Sequence, residues 1–302
     1  MNNKRRLFST LLCVAALTAG LFVSGCGSDK AGGIGSVVSS VVDGGSDEKA
    51  AAKLNTLIDA TNRFNGDNAT WGQNYADSLA KLKGGFQEGA IGRQPHYDTL
   101  KEALEQSKKE GSTFKEVDTE RDNVLNVLNE LVPTFKDLKA YDDSKAYMND
   151  GGAKGKELAT KYVAQVEKFD AAYAKFNDAL NKANTEQTKK QIEKLKKDGK
   201  KGYAAAMEST LRLTTLVENV EKAPKNADKQ AVEKELNEIQ TLLKSINNDR
   251  GEVLVNSYNS VVGSVRQVLN DANENNLNDM IENFNNYIES YNNTTPDQFD
   301  SK

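Results

Sequence analysis

Apolar positions along most of the chain recur at steps of three and four, the spacing that lines one face of an α-helix. Leu54, Leu57, Ile58 and Phe64 open the series, with Asp47 placed to cap a helix running to Asn65 and Gly66 placed to stop it. Residues 66–95 hold six glycines and read as irregular, with a short helix around Tyr75 to Leu82. Pro95 suits the first turn of a helix through Leu100 and Leu104. From Ser112 the stripe is Phe114, Val117, Val124, Leu128, Leu131, Phe135 and Leu138, with Arg121 in its one polar slot. Its register survives Pro133, which leaves either a kinked helix or two helices nearly in line.

Gly151-Gly152 marks the next turn. A long helix then carries Leu158, Tyr162, Val166, Phe169, Tyr173, Phe176 and Leu180, and another spans about Glu186 to Lys222, ended by Pro224. Three further stripes follow: Leu236, Ile239 and Leu243; Leu254, Tyr258, Val261 and Val265; Ile281, Phe284, Ile288 and Tyr291. No sustained alternation of period two appears. The pattern predicts an all-α fold, an elongated antiparallel helical bundle over residues 47–292, with a disordered tail over 293–302. One echo is visible, Leu54 to Phe64 against Leu277 to Tyr287. Its matches are mainly the apolar stripe plus Asn, as two amphipathic helices converge on one pattern; a true duplication would imply two related halves.

The first 45 residues break the helical pattern. Lys4, Arg5 and Arg6 precede a mostly apolar stretch from Leu7 to Phe22, too short and wrongly flanked for a permanent transmembrane helix. The run Val23-Ser24-Gly25-Cys26 then resembles the lipobox of bacterial lipoproteins, where a thiol carries diacylglycerol through a thioether. The expectation is a lipoprotein signal peptide over 1–25, lipidation at Cys26, and a Gly/Ser-rich tether over 26–46. Gly27 follows Cys26, as in lipoproteins forwarded to the outer membrane of a Gram-negative cell.

Composition is read in that light. Of 302 residues, 40 are Lys or Arg and 44 Asp or Glu, a net charge of −4, which argues against a nucleic-acid binder. Loss of residues 1–25 removes three cations and no acid, so the charge becomes −7. Cys13 leaves with the signal and Cys26 is consumed by lipid, which removes thiol catalysis, redox sensing and disulfides together. One His and no free thiol cannot build a zinc site from several such ligands. No cofactor is expected.

Candidate chemistry is thin. His96, at a helix start, is the chain's one His and the sole candidate for a Ser/His/Asp system, and no nucleophile elbow accompanies it. Asp142, Asp143, Asn149, Asp150 and Glu157 lack the alternate-ligand spacing of a calcium loop. Lys189, Lys190, Lys194, Lys196, Lys197, Lys200 and Lys201 read as a solvated helix end or as a contact for anionic headgroups or wall polymers. Tyr162, Phe169, Tyr173 and Phe176 read as core. Trp71, in the Gly-rich region, is either an exposed binding aromatic or a buried loop anchor.

Leu131-Val132-Pro133, then Leu138, then Tyr141 to Asp150, then Lys154-Gly155-Lys156-Glu157-Leu158 form a distinctive run. It resembles the YiiG-like bacterial lipoproteins, whose shared domain has no known function, and the likeness extends over about residues 48–292. Asp142 departs from it where a second aromatic is expected. The resemblance implies an all-helical, membrane-tethered protein that is not an enzyme, and it supplies no ligand. Trp71, Tyr141, Asp143, Tyr147, Asp150 and Lys154 are the candidate binding surface. The expected role is a scaffold or interaction module of the cell envelope, with membrane, envelope protein or polymer as partner. The alternative is a binding protein with a cleft between helices.

Overall fold

A computed structural model of the chain describes residues 46–92, 94–111 and 114–300, and the side chains of these other than 46–49 and 67–73. The expected signal peptide, Cys26, the tether as far as residue 45 and the side chain of Trp71 lie outside the described residues. Among the described residues every regular element is a helix: α1 Ser46–Lys83, α2 Tyr97–Lys109, α3 Lys115–Asp143, α4 Tyr147–Asp150, α5 Ala153–Lys197, α6 Lys201–Lys222, α7 Lys229–Lys244, α8 Asp249–Asn270, α9 Glu274–Asn292 and α10 Pro296–Asp300. A 3-10 turn, Pro224–Asn226, follows α6. The all-α expectation holds. Within the helical body the described chain divides into two compact units, 46–183 and 184–300.

Unit 1 is built from α1, α2, α3 and the first two-thirds of α5. Its core is lined by the predicted stripes: Leu54, Leu57, Ile58, Leu104, Leu128, Leu138, Val166 and Phe176 are all fully buried. The pairs Glu116–Lys182, Phe135–Tyr162 and Tyr141–Gly155 step down α5 as they step up α3, so the two helices run antiparallel. Pro133 lies inside one continuous α3. Arg121 explains the polar slot of the stripe. Its side chain is buried, and its guanidinium donates to Asp118 at 2.7 Å and Asp122 at 3.1 Å, so the charge enters the interior already paired.

Gly66 does not end the first helix. It is exposed with open space where a Cβ would stand, and α1 runs on through it to Lys83. The predicted short helix at Tyr75 is the continuation of α1. Packing on both sides outweighs the modest helix cost of one glycine.

Unit 2 contains the end of α5 and α6 to α10. The expected break near residues 181–185 is absent, because Ala179, Leu180, Ala183, Asn184 and Thr188 are buried and carry α5 onward. The break falls at Gly199, whose φ of 78° lies in the left-handed region that glycine adopts without strain. Arg212 of α6 pairs with Glu235 of α7, Arg266 of α8 pairs with Glu233 of α7, and Ser257 of α8 meets Ser290 of α9. Asp228, Asn248 and Asn273 cap α7, α8 and α9 through their side chains.

Residues 293–300 are not a disordered tail. Phe299 of α10 is 2 % exposed and stacks on Tyr203 and Tyr291. Asp300 accepts the Gly202 backbone N–H at 2.6 Å, supplying the first turn of α6 with an acceptor that its own Lys200 does not provide. A Cβ on Gly202 would stand 2.1 Å from the Phe299 carbonyl oxygen, so glycine is what lets the two segments touch.

Candidate functional site

The predicted corner is real as a local structure. α3 ends at Asp143, Lys145 takes a left-handed φ of 53°, α4 makes a single turn, and Gly151 and Gly152 reverse the chain with φ of 64° and 86°. Asp150 organises the turn. Its carboxylate accepts the Tyr141 hydroxyl at 2.5 Å, the Gly152 N–H at 2.9 Å and the Lys154 N–H at 3.1 Å. The Tyr141 hydrogen bond, with the two N–H groups, holds the Asp150 carboxyl below the usual range.

Tyr141, Tyr147, Asp150 and the Lys154 backbone are therefore brought together, but Asp143 is not. It pairs with Lys139 one turn back on the exposed face of α3, at 2.8 Å. The residue missed from sequence is Phe86. Its ring lies 5.2 Å from Tyr141 and 5.8 Å from Tyr147, and both Tyr141 and Phe86 rest on Gly155, where a Cβ would approach within 2.5 Å of Tyr141. The Tyr147 hydroxyl faces the Glu88 carboxylate, which together with burial pushes it up to about 12. The acceptors of Asp150 and the hydroxyl of Tyr141 are thus consumed inside the corner. Its chemistry is that of a turn lock.

A second polar cluster lies inside unit 1. The Tyr75 and Tyr97 hydroxyls meet at 2.9 Å, and Tyr162 donates to the side-chain oxygen of Gln94. Ser78 donates to the Ala90 carbonyl at 2.6 Å and accepts the Gly92 N–H at 2.9 Å. The glycine-rich segment between α1 and α2 is therefore stitched to α1 and α5 by side chains. Burial drives all three tyrosine hydroxyls upward, and the nearby charge of Asp170 adds to it. Asp170 itself is pushed up to about 6 by burial, opposed by Lys83. One cue in the sequence marks it, an acid set between Phe169 and Tyr173 on an aromatic stripe. Tyr162, Phe169, Tyr173 and Phe176 are buried, as core residues should be.

The other candidates sit apart. His96 is exposed before α2 and its side chain caps nothing. Of the basic run, Lys196 pairs with Glu208 at 2.8 Å and Lys200 with Asp297 at 3.6 Å, while Lys189, Lys190, Lys194 and Lys197 stand exposed. In unit 2, burial and the neighbouring Glu218 push Glu221 up to about 7. Among the described residues no group of three His, Cys, Asp or Glu side chains is placed to hold a metal ion, and no helix is long and apolar enough to cross a membrane.

The chain has no match among curated proteins and none among solved structures. A family model does match, over residues 48–278, which takes in all of unit 1 beyond its first two residues, the corner, and unit 2 into the start of α9. The chain belongs to the family described as protein of unknown function (DUF3829).

Proposed function

We propose that this is a lipid-anchored protein of the cell envelope whose helical body serves as a scaffold or protein-interaction module, as the resemblance to YiiG-like lipoproteins implies. The observation that carries the reading is the placement of Cys26, after a basic start, an apolar stretch and a small-residue run, and before a Gly/Ser-rich tether. In a Gram-negative cell it faces the periplasm from the outer membrane; in a Gram-positive cell it sits on the outer face of the plasma membrane. The body is no enzyme on this reading. The corner that looked most like a site spends the Asp150 carboxylate and the Tyr141 hydroxyl on holding a turn. The competing cleft-binding reading requires a polar-lined cavity. Two depressions among the described residues, one on the basic end of α5 and one beside the α7–α8 turn, are open surface hollows.

The anchor is tested by Cys26→Ser in cells of the native host. The variant should move from the membrane fraction to the soluble fraction or accumulate as unprocessed precursor. Processed protein that stays on the membrane without Cys26 would refute the lipid anchor.

A further inference from the structure

We propose that the basic face of α5 formed by Lys189, Lys190, Lys194 and Lys197 docks on an anionic lipid surface, a proposal that deepens the anchored reading above and rests on it. At about 100° per residue the four side chains fall within an arc of about 140° on one side of the helix. All four are exposed, and among the described residues none has a carboxylate within ion-pair distance, in contrast to Lys196 and Lys200. Of the two acids that line the same hollow, Glu193 is already engaged by Lys196, and Asp198 stands exposed just past the helix end.

A bland explanation is that lysines at a helix C-terminus complement the helix dipole. That effect fades beyond the last turn, which reaches Lys194 and Lys197 but not Lys189 and Lys190, eight and seven residues before the end of α5. The contrast with the rest of unit 2 is also large. Residues 202–300 carry eight Lys or Arg against sixteen Asp or Glu, whereas residues 184–201 carry seven against three, so the net charge of the unit is positive only in this stretch.

The shape and the chemistry select the partner. The lysines border an open hollow, suited to a plane of headgroups rather than to an enclosed small molecule. Among the described residues the exposed large hydrophobics, Met148 and Val253, lie elsewhere, so the contact of this face is electrostatic and does not insert into the acyl region. A lipid on Cys26 keeps the body beside a membrane permanently, which turns a weak attraction of several lysines for anionic lipid into an intramolecular contact of high effective concentration. Contact of this kind fixes the orientation of unit 2 on the surface.

The test uses the full-length lipidated chain on vesicles of phosphatidylcholine alone or rich in phosphatidylglycerol, with amine-acetylation rates read lysine by lysine by mass spectrometry. At about 0.1 M salt the four lysines should be acetylated at least about fivefold more slowly on the anionic vesicles, and the protection should vanish near 1 M salt, where the Debye length falls to about 3 Å. Lys225, Lys229 and Lys244 of the same unit should label equally on both. Equal labelling of the four lysines on the two vesicles overturns the proposal. Protection on phosphatidylcholine by soluble polyphosphate, with none on phosphatidylglycerol, also overturns it and assigns the face to an anionic polymer. The anchor is read separately, by whether the chain floats with phosphatidylcholine vesicles. If it does not, salt-sensitive flotation with anionic vesicles that is lost in K189Q/K190Q/K194Q/K197Q still supports the face, and its absence overturns it.

Discussion

Units 1 and 2 share a plan of amphipathic helices around an apolar centre, yet they satisfy their buried polar groups in different ways. In unit 1 the centre is aromatic. Phe64, Tyr97, Phe169 and Tyr173 pack ring against ring at 5.0–5.9 Å, and the hydroxyls reach partners distant in sequence, such as Tyr173 to Asn65 and Tyr162 to Gln94. In unit 2, α6 buries Ala204 to Ala206, Ser209, Thr210 and Thr214, and each of these hydroxyls donates to a carbonyl of its own helix at 2.7–2.9 Å. Small side chains with locally paired hydroxyls present a nearly apolar face to neighbouring helices. One unit depends on a loop that ties distant helices together; in the other the α6 hydroxyls are paired within their own helix, and cross-helix links such as Thr210 to the Tyr287 hydroxyl at 3.1 Å are added to that local pairing.

The contrast is broken most severely in the aromatic centre. Phe169→Ala should cost about 3–5 kcal/mol and raise amide hydrogen exchange across residues 46–183. An equal rise across 184–300 would show that the two cores respond as one. Next in size is Gly202→Ala, whose new Cβ displaces α10 from α6. It should cost about 2–3 kcal/mol through the lost burial of Phe299, with exchange rising in α6 and α10 while unit 1 keeps its protection. Unchanged exchange at α10 would mean that the contact adapts without release.

The smallest expected effect is acid titration of unit 1. Asp170 has a folded pKa of about 6, above the 3.8 of the unfolded chain, so the folded state binds more protons between those values. Stability should therefore rise as pH falls from 7 toward 4, by about 1–2 kcal/mol, and Asp170→Asn should remove that share of the slope. Urea titrations at stepped pH, followed by NMR signals of each unit, measure it. Unit 2 has its own raised acid in Glu221, so a slope that persists undiminished in Asp170→Asn would place the titration there instead.

The stripes were legible because each follows from one helix buried on one side. Boundaries were less so. Gly66 and Gly199 look alike in sequence, and what separates them is the backbone: α1 runs on through the first, whereas the second sits in a left-handed turn after the exposed Lys196 to Asp198. The corner was legible in part. Tyr141 and Asp150 lie nine residues apart, within one turn-and-cap motif. Phe86 comes from a segment 55 residues before Tyr141, and no local pattern announces a contact made through the missing Cβ of Gly155. Asp143 stands apart from the corner because Lys139, four residues back, pairs with it on the surface. The docking of Phe299 was hidden for the same reason as Phe86.

That docking also sets an order of events during synthesis. The partners Gly202 and Asp300 are 98 residues apart. Every group that unit 1 needs is in hand once the ribosome has passed residue 183, whereas the start of α6 lacks its acceptor until nearly a hundred further residues have emerged. The chain is thus built to mature from front to back. Its rear half closes only when α10 arrives, which makes that short helix a checkpoint for completion of the fold.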